Sequence, residues 1–166
     1  MSADSSQAAG RLCMDCGLCC NGVLFDIVTL QPGDQPKALK ARGLKVKRQE
    51  YFAQPCPALC GTRCTIYEQR PTRCRAFECR QYRQVADGSL PAEEAAARIG
   101  EVKREVEEIK AMMERLGCLH PRGSLGKRYN ALLAARGKTD AGILRLTAAY
   151  DKLEQVLGRH FRVEPV

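Results

Sequence analysis

The chain has 166 residues, a length that suits one compact domain or a small module with a helical extension and leaves no room for a large multidomain enzyme. Apolar residues make up 45% of it and aromatic ones only 5%, with no Trp, so the core must be mainly aliphatic and disorder throughout is not expected. The formal net charge is +8. No run of residues approaches the roughly 18 apolar positions of a membrane span, and the opening MSADSSQAAGR lacks the apolar stretch of a secretory signal, so a cytoplasmic protein is expected.

In chain order, residues 1–11 are small and polar and predict a disordered tail. The run Cys13-Met14-Asp15-Cys16-Gly17-Leu18-Cys19-Cys20 follows at once, and structure is expected to begin there. Leu24 to Leu30 has strand composition, closed by the turn residues Gln31-Pro32-Gly33-Asp34. Pro36 to Arg42 predicts two helical turns ending at Gly43, and Leu44-Lys45-Val46-Lys47 alternates as a brief edge strand does. From Pro55 to Cys79 the chain carries three prolines and five cysteines with little periodicity, which predicts loops and short turns held by metal.

Beyond Gly88 the character changes. After Pro91, the residues Ile99, Val102, Val106, Ile109, Met113 and Leu116 recur at spacings of three and four, giving one amphipathic helix ended by Gly117. Ser124 is a candidate cap for a second helix carrying Tyr129, Leu132 and Leu133 to Gly137. Thr139 or Asp140 is a candidate cap for a third, with Ile143, Leu146, Tyr150, Leu153 and Leu157 on one face and Gly158 after them. The expected fold is therefore mainly α. A small, irregular, metal-stapled cysteine module with minor β structure spans 12–88, and a helical extension over 89–166 packs on it through antiparallel helices. Met112, Met113 and Tyr150 fall in its core.

Nine of the ten cysteines lie between Cys13 and Cys79, leaving Cys118 alone in the rest of the chain. In a reducing compartment such grouping points to metal rather than to disulfides. Cys13-x2-Cys16-x2-Cys19 is the triple spacing with which a loop wraps three corners of a four-iron cluster, and Cys56-Pro57 is a candidate remote fourth corner. Two tetrahedral zinc sites of four thiolates each are an equally lawful partition. Cys19 and Cys20 are adjacent, and neighbouring side chains in an extended segment point to opposite sides, which favours two centres over one.

The leading CxxCxxCC, the later Cys56-Pro57, and Cys64-Thr65-Ile66-Tyr67-Glu68 running into Arg70-Pro71-Thr72-Arg73-Cys74-Arg75-Ala76-Phe77-Glu78-Cys79 strongly resemble the YkgJ-like cysteine-cluster family. The resemblance spans residues 13–79. It implies a zinc- or iron-binding protein with eight ligand cysteines: Cys13, Cys16, Cys19, Cys20, Cys56, Cys64, Cys74 and Cys79, with Cys60 and Cys118 outside the pattern. Some relatives look like flagellin lysine methylases, which brings in an iron-sulfur-dependent enzyme by analogy.

Eight thiolates around two centres leave about four excess negative charges to be neutralised nearby. Arg70 and Arg73 are the candidate outer partners of the cofactor, with Arg75 and Arg80 also close in sequence, while Tyr67 and Phe77 can shield a centre from water. Lys37, Lys40, Arg42, Lys45, Lys47 and Arg48 gather six basic groups without an intervening acid. Stacking aromatics are sparse there and no nucleic-acid module is recognisable, so a solvated surface is expected. No phosphate-binding glycine loop, GxSxG or HExxH occurs. Cys118 and His120 read as a core cysteine beside a loop histidine. The leading function is thus metal binding, through an iron-sulfur cluster (4Fe-4S) or zinc. An iron-sulfur enzyme is the second reading, and a basic zinc module for nucleic acid or a protein partner is the third.

Overall fold

A computed structural model of the chain describes residues 3–118 and 122–163. The fold is mainly helical. Seven α-helices are present among these residues, with two short antiparallel ribbons between the first and the third. No helix among them is long and apolar enough to cross a membrane.

Helix α1 (Ala3–Cys16) occupies the segment for which a disordered tail was expected; of that tail only residues 1 and 2 lie outside the described part. Its anchor is small. Ala9 is fully buried and Ala8 and Leu12 pack beside it, against Val85, Ala86, Leu90 and Ala95. Alanine is the best helix former and forfeits no side-chain entropy, so a polar, alanine-containing segment becomes helical once a neighbour covers its apolar edge. That neighbour is α4 (Arg80–Asp87), an element with no counterpart in the periodicity of the sequence.

Strands β1 (Ile27–Thr29) and β2 (Tyr51–Ala53) pair with Val28 opposite Phe52. The expected strand from Leu24 is thereby shortened, because Leu24 is buried in the helical core instead. Helix α2 (Pro36–Ala41) forms where its proline predicted, and Gly43 beyond it has φ +89°. The segment 44–47 buries Leu44 and Val46 and exposes Lys45 and Lys47, as the alternation implied, but makes only a single bridge from Lys47 to Tyr51. The chain turns back too soon for a strand, through left-handed Arg48 and Gln49. Val28, Leu39, Leu44, Val46, Phe52, Ala58 and Ile66 form a small core of their own. All six residues of the basic run are exposed.

The second ribbon pairs β3 (Leu59–Cys60) with β4 (Arg63–Cys64), and a 3-10 turn (Tyr67–Gln69) leads into α3 (Thr72–Ala76). Helix α5 (Ala92–Arg115) follows Pro91, carries Glu93 and Glu94 in its first turn where the helix dipole favours anions, and buries the predicted stripe from Ile99 to Met113. Helix α6 (Leu125–Arg136) begins at Ser124, yet the Ser124 hydroxyl donates to the Asp26 carboxylate rather than capping its own helix. With Leu125 N–H donating to the Gly22 carbonyl (2.8 Å), this bond fixes α6 to the approach of β1.

Helix α7 (Ala141–His160) is capped by Asp140, whose carboxylate accepts from the N–H groups of Gly142 (2.8 Å) and Ile143 (3.0 Å). It runs through Gly158, where a stop was expected. A helical glycine costs about 1 kcal/mol relative to alanine, and the complete burial of Phe161 just beyond it outweighs that cost. Leu116 at the end of α5 meets Gly142 at the start of α7, Glu105 pairs with Lys152 (2.6 Å), and Arg98 acts on the charge of His160. The two helices are therefore antiparallel, as expected.

The main core joins Ile99, Val106, Met113, Leu146 and Leu157 of these helices to Cys16, Leu18, Val23 and Leu24 of the first cysteine segment. Leu18 is fully buried in it. Leu18→Ala should lower stability by about 2–4 kcal/mol, read from urea midpoints followed by helical circular dichroism. An unchanged midpoint would mean that the helices cohere without the cysteine segment.

Candidate metal centre

Four short elements bring the cysteines together. Cys13 and Cys16 lie in the last turn of α1, three positions apart and so on one helix face. Gly17 ends the helix with φ +72°, and a Cβ there would stand 3.2 Å from the Thr62 backbone, so only glycine suits both the turn and the close approach of the β3–β4 hairpin. The N–H groups of Cys20 and Asn21 then donate to the Gly17 carbonyl (3.0 Å each), which curls Cys19 and Cys20 into a tight turn.

Cys56 is tied to this turn directly, its N–H donating to the Cys20 carbonyl at 2.8 Å. Cys64 ends β4 and Cys74 lies within α3. The start of α3 is held by Asp34, whose carboxylate accepts from the Thr72 N–H and hydroxyl (2.8 Å each) and, through its other oxygen, from the Gln31 N–H (2.8 Å). Cys79 is the residue before α4, and its sulfur accepts from the Tyr82 N–H at 3.5 Å.

The electrostatic neighbours of these thiols fall into two sets. Cys19 feels Cys79, Cys16 and Cys13, and both Cys16 and Cys13 feel Cys79. Cys20 feels Cys56, Cys74 and Cys64, and Cys74 feels Cys56 and Cys64. Cys79 acts on all three thiols of the Cys13, Cys16 and Cys19 triple, whereas Cys56, the candidate remote corner, acts on Cys20 and Cys74. Cys19 and Cys20 also feel each other, and Cys20 feels Cys13, so the two groups of thiols adjoin at the turn.

Burial first, and repulsion by neighbouring thiols with it, pushes Cys16, Cys20 and Cys74 up to about 12 and Cys19 well above the ordinary thiol value. Cys13, Cys56 and Cys79 are raised too, each mainly by desolvation. A bound cation reverses both causes, since it replaces lost hydration and screens one thiolate from the next. The donor set thus fits a thiophilic metal or cluster. All ten cysteines are free thiols. Among the described residues no three or more Cys, His, Asp or Glu side chains are already drawn in to a closed coordination shell. Instead, all the pattern cysteines except Cys56 line one cavity of about 610 Å³.

Arg70 stacks on Tyr67 (3.6 Å from ring centre), donates to the Tyr67 carbonyl (2.9 Å), and lowers the cost of ionising both Cys13 and Cys74, one thiol of each set. Arg73 lines the cavity and is exposed. Arg75 acts on Asp34 instead, and Arg80 is turned away to donate to the Arg159 carbonyl at the end of α7. Phe77 packs edge-on against Phe25, with both rings and Tyr67 in the cavity wall. Cys60 is exposed on β3 and Cys118 packs on the helical core, while His120 lies outside the described residues.

Two contributors had no signal in the local spacing. Asp34 is distant in sequence from the helix it holds. Lys103 on α5 eases the ionisation of Cys16 and donates to the Asp15 carbonyl (2.7 Å).

A comparison with family sequence models matches residues 12–114 to "CxxCxxCC: Putative zinc- or iron-chelating domain". No curated protein matches the chain, and no solved structure does. The match begins just before Cys13 and continues past Cys79 through nearly all of α5, so the helix that bears Lys103 is part of the unit compared. The chain belongs to this CxxCxxCC family, described as zinc- or iron-chelating.

Proposed function

We propose that the protein holds two inorganic centres through eight thiolates, one on Cys13, Cys16, Cys19 and Cys79 and the other on Cys20, Cys56, Cys64 and Cys74. The observation that carries this reading is the tie of the Cys56 N–H to the Cys20 carbonyl together with the packing of Cys56, Cys64 and Cys74 on one small core, while Cys16 and Cys19 pack on the other; the largest thiol–thiol repulsions follow the same grouping, with weaker ones between Cys19 and Cys20 and between Cys20 and Cys13. The first set combines the Cys-x2-Cys-x2-Cys triple with a remote fourth thiol, the ligand order of a 4Fe-4S cluster, and this favours iron-sulfur there over zinc. When bound, such a cluster supplies one-electron redox capacity. The chain's part is to deliver deprotonated sulfur, to place Arg70 beside both sets, and to keep water off with Phe25 and Phe77.

Protein purified without oxygen is expected to be brown and to contain iron and acid-labile sulfide. Cys16→Ser should lose the colour of the first centre and Cys118→Ser should keep it. Cys79→Ser and Cys64→Ser should each remove the metal of one centre and spare the other; loss of all metal in both variants would refute the partition. A colourless protein with stoichiometric zinc would reject the cluster while leaving four-thiolate sites in place.

The raised thiols also set a pH dependence. Their folded values lie above the ordinary 9.0, so burial of neutral thiols stabilises the metal-free protein below that pH. That contribution is lost as pH rises from about 9 towards the folded values of about 12. Urea midpoints of metal-free protein should fall across this window, and those of loaded protein should fall less.

Asp34→Ala should speed loss of metal from the Cys74 centre to a chelator by roughly tenfold or more, a size typical of outer partners of metal ligands. Asp34→Asn retains an acceptor for Thr72 and should restore most of the retention. Equal retention in both variants would show that Asp34 does not position Cys74.

A further inference from the structure

The thiols account for only part of the cavity they line. The cavity has about 610 Å³, and much of its wall carries no sulfur. A volume of this size falls in the range of small-molecule pockets, about 300–1,000 Å³. Most of the wall is apolar, supplied among others by Leu24, Phe25, Val28, Ile99 and Phe161.

The mouth is apolar as well. Four large hydrophobic side chains are exposed among the described residues, and three of them, Met14 (37%), Ile27 (43%) and Tyr67 (36%), line this cavity. Apolar surface left open at one place, around one concavity, marks a site that something covers. Inorganic centres need sulfur and outer donors, and they give no reason to keep an isoleucine and a methionine in water.

The polar groups of the wall specify the chemistry. Three arginines, Arg70, Arg73 and Arg83, line the cavity and no Asp or Glu does, with Glu78 4.0 Å from Arg83 outside the wall. Gln54 and Gln81 also line it, are 4% and 0% exposed, and each has a buried side-chain oxygen with no hydrogen-bond partner. Buried acceptors of this kind are normally satisfied, so they call for a donor. Apolar body, N–H or O–H donor and anionic head together describe one ligand class.

We infer that the cavity binds a small organic anion, an amide- or hydroxyl-bearing carboxylate with an apolar body, alongside the metal centres. The apolar body lies against the Ile27 and Met14 mouth, and the carboxylate faces the arginines. The site rests on the eight-thiolate reading for its neighbours but not for its own contacts.

The test is calorimetric titration of metal-loaded protein with N-octanoylglycine and with its uncharged amide, with iron, sulfide and zinc measured on every sample. Saturable binding of about one N-octanoylglycine per chain, weaker for the amide, is expected. Ile27→Glu should weaken the acid at least tenfold. Arg83→Gln should weaken the acid more than the amide, compared in samples whose iron, sulfide and zinc match the parent because Arg83 also acts on Cys79; both variants keep all ten cysteines as well as Arg70 and Arg73. Absence of saturable binding to loaded protein, or binding that neither variant changes, overturns the inference. Binding to metal-free protein that disappears on loading also overturns it, because the cavity is then the metal site alone. Specific binding by folded protein that takes up no metal would support the pocket and sink the eight-thiolate reading, so the two failures are distinguishable.

Discussion

Crowding of sulfur is the constraint from which the rest of the architecture follows. Thiols drawn into one partly buried cavity resist ionisation, because each thiolate loses hydration and meets the field of the next. Such a cavity is stable as a set of neutral thiols or as thiolates around cations, and unfavourable between the two. The surrounding elements behave accordingly. They fix the backbone at each cysteine through Gly17, Asp34 and the Tyr82 N–H, and place positive groups at Arg70, Arg83 and Lys103.

The supports are divided as the thiols are. The set that includes Cys56, Cys64 and Cys74 packs on the small core of Val28, Leu44, Val46 and Phe52. Cys16 and Cys19 belong to the large helical core, and Cys79 opens the helix that covers α1. Two hydrophobic cores therefore carry Cys16 and Cys19 on one side and Cys56, Cys64 and Cys74 on the other. The small core's segments are tied to the rest of the chain by the Cys56 N–H to the Cys20 carbonyl along the backbone, and by Ser124 to Asp26 through side chains.

Long periodic segments were legible in the sequence because their apolar residues are large and regularly spaced. The stripe from Ile99 to Met113 and the face from Ile143 to Leu157 became the helices they predicted. Helix α1 was not legible, since its buried face consists chiefly of Ala9 and Leu12, which composition does not separate from a polar tail. Helix α4 was missed for a related reason: its fully buried Gln81 is polar, held by a bond from its side-chain amide to the His160 carbonyl (2.9 Å). Family membership could be read from local spacing in the pattern cysteines. The nearness of Cys79 to the first triple, and the contacts of Asp34 and Lys103, join distant segments and had no local signature.

On the proposed partition the order of the two sets along the chain is nested. Cys20, Cys56, Cys64 and Cys74 all lie between Cys19 and Cys79, so the loop closed by one set contains the whole of the other. Closing a loop costs entropy that grows with the length of free chain within it. Once the inner four sulfurs are gathered, most of the chain between Cys19 and Cys79 is already condensed, and the outer closure becomes the shorter step. On the ribosome, Cys74 and Cys79 emerge almost together, so the inner set gains no useful head start from synthesis. On that partition loop length, rather than the order in which the sulfurs are made, favours assembly from the inside outward.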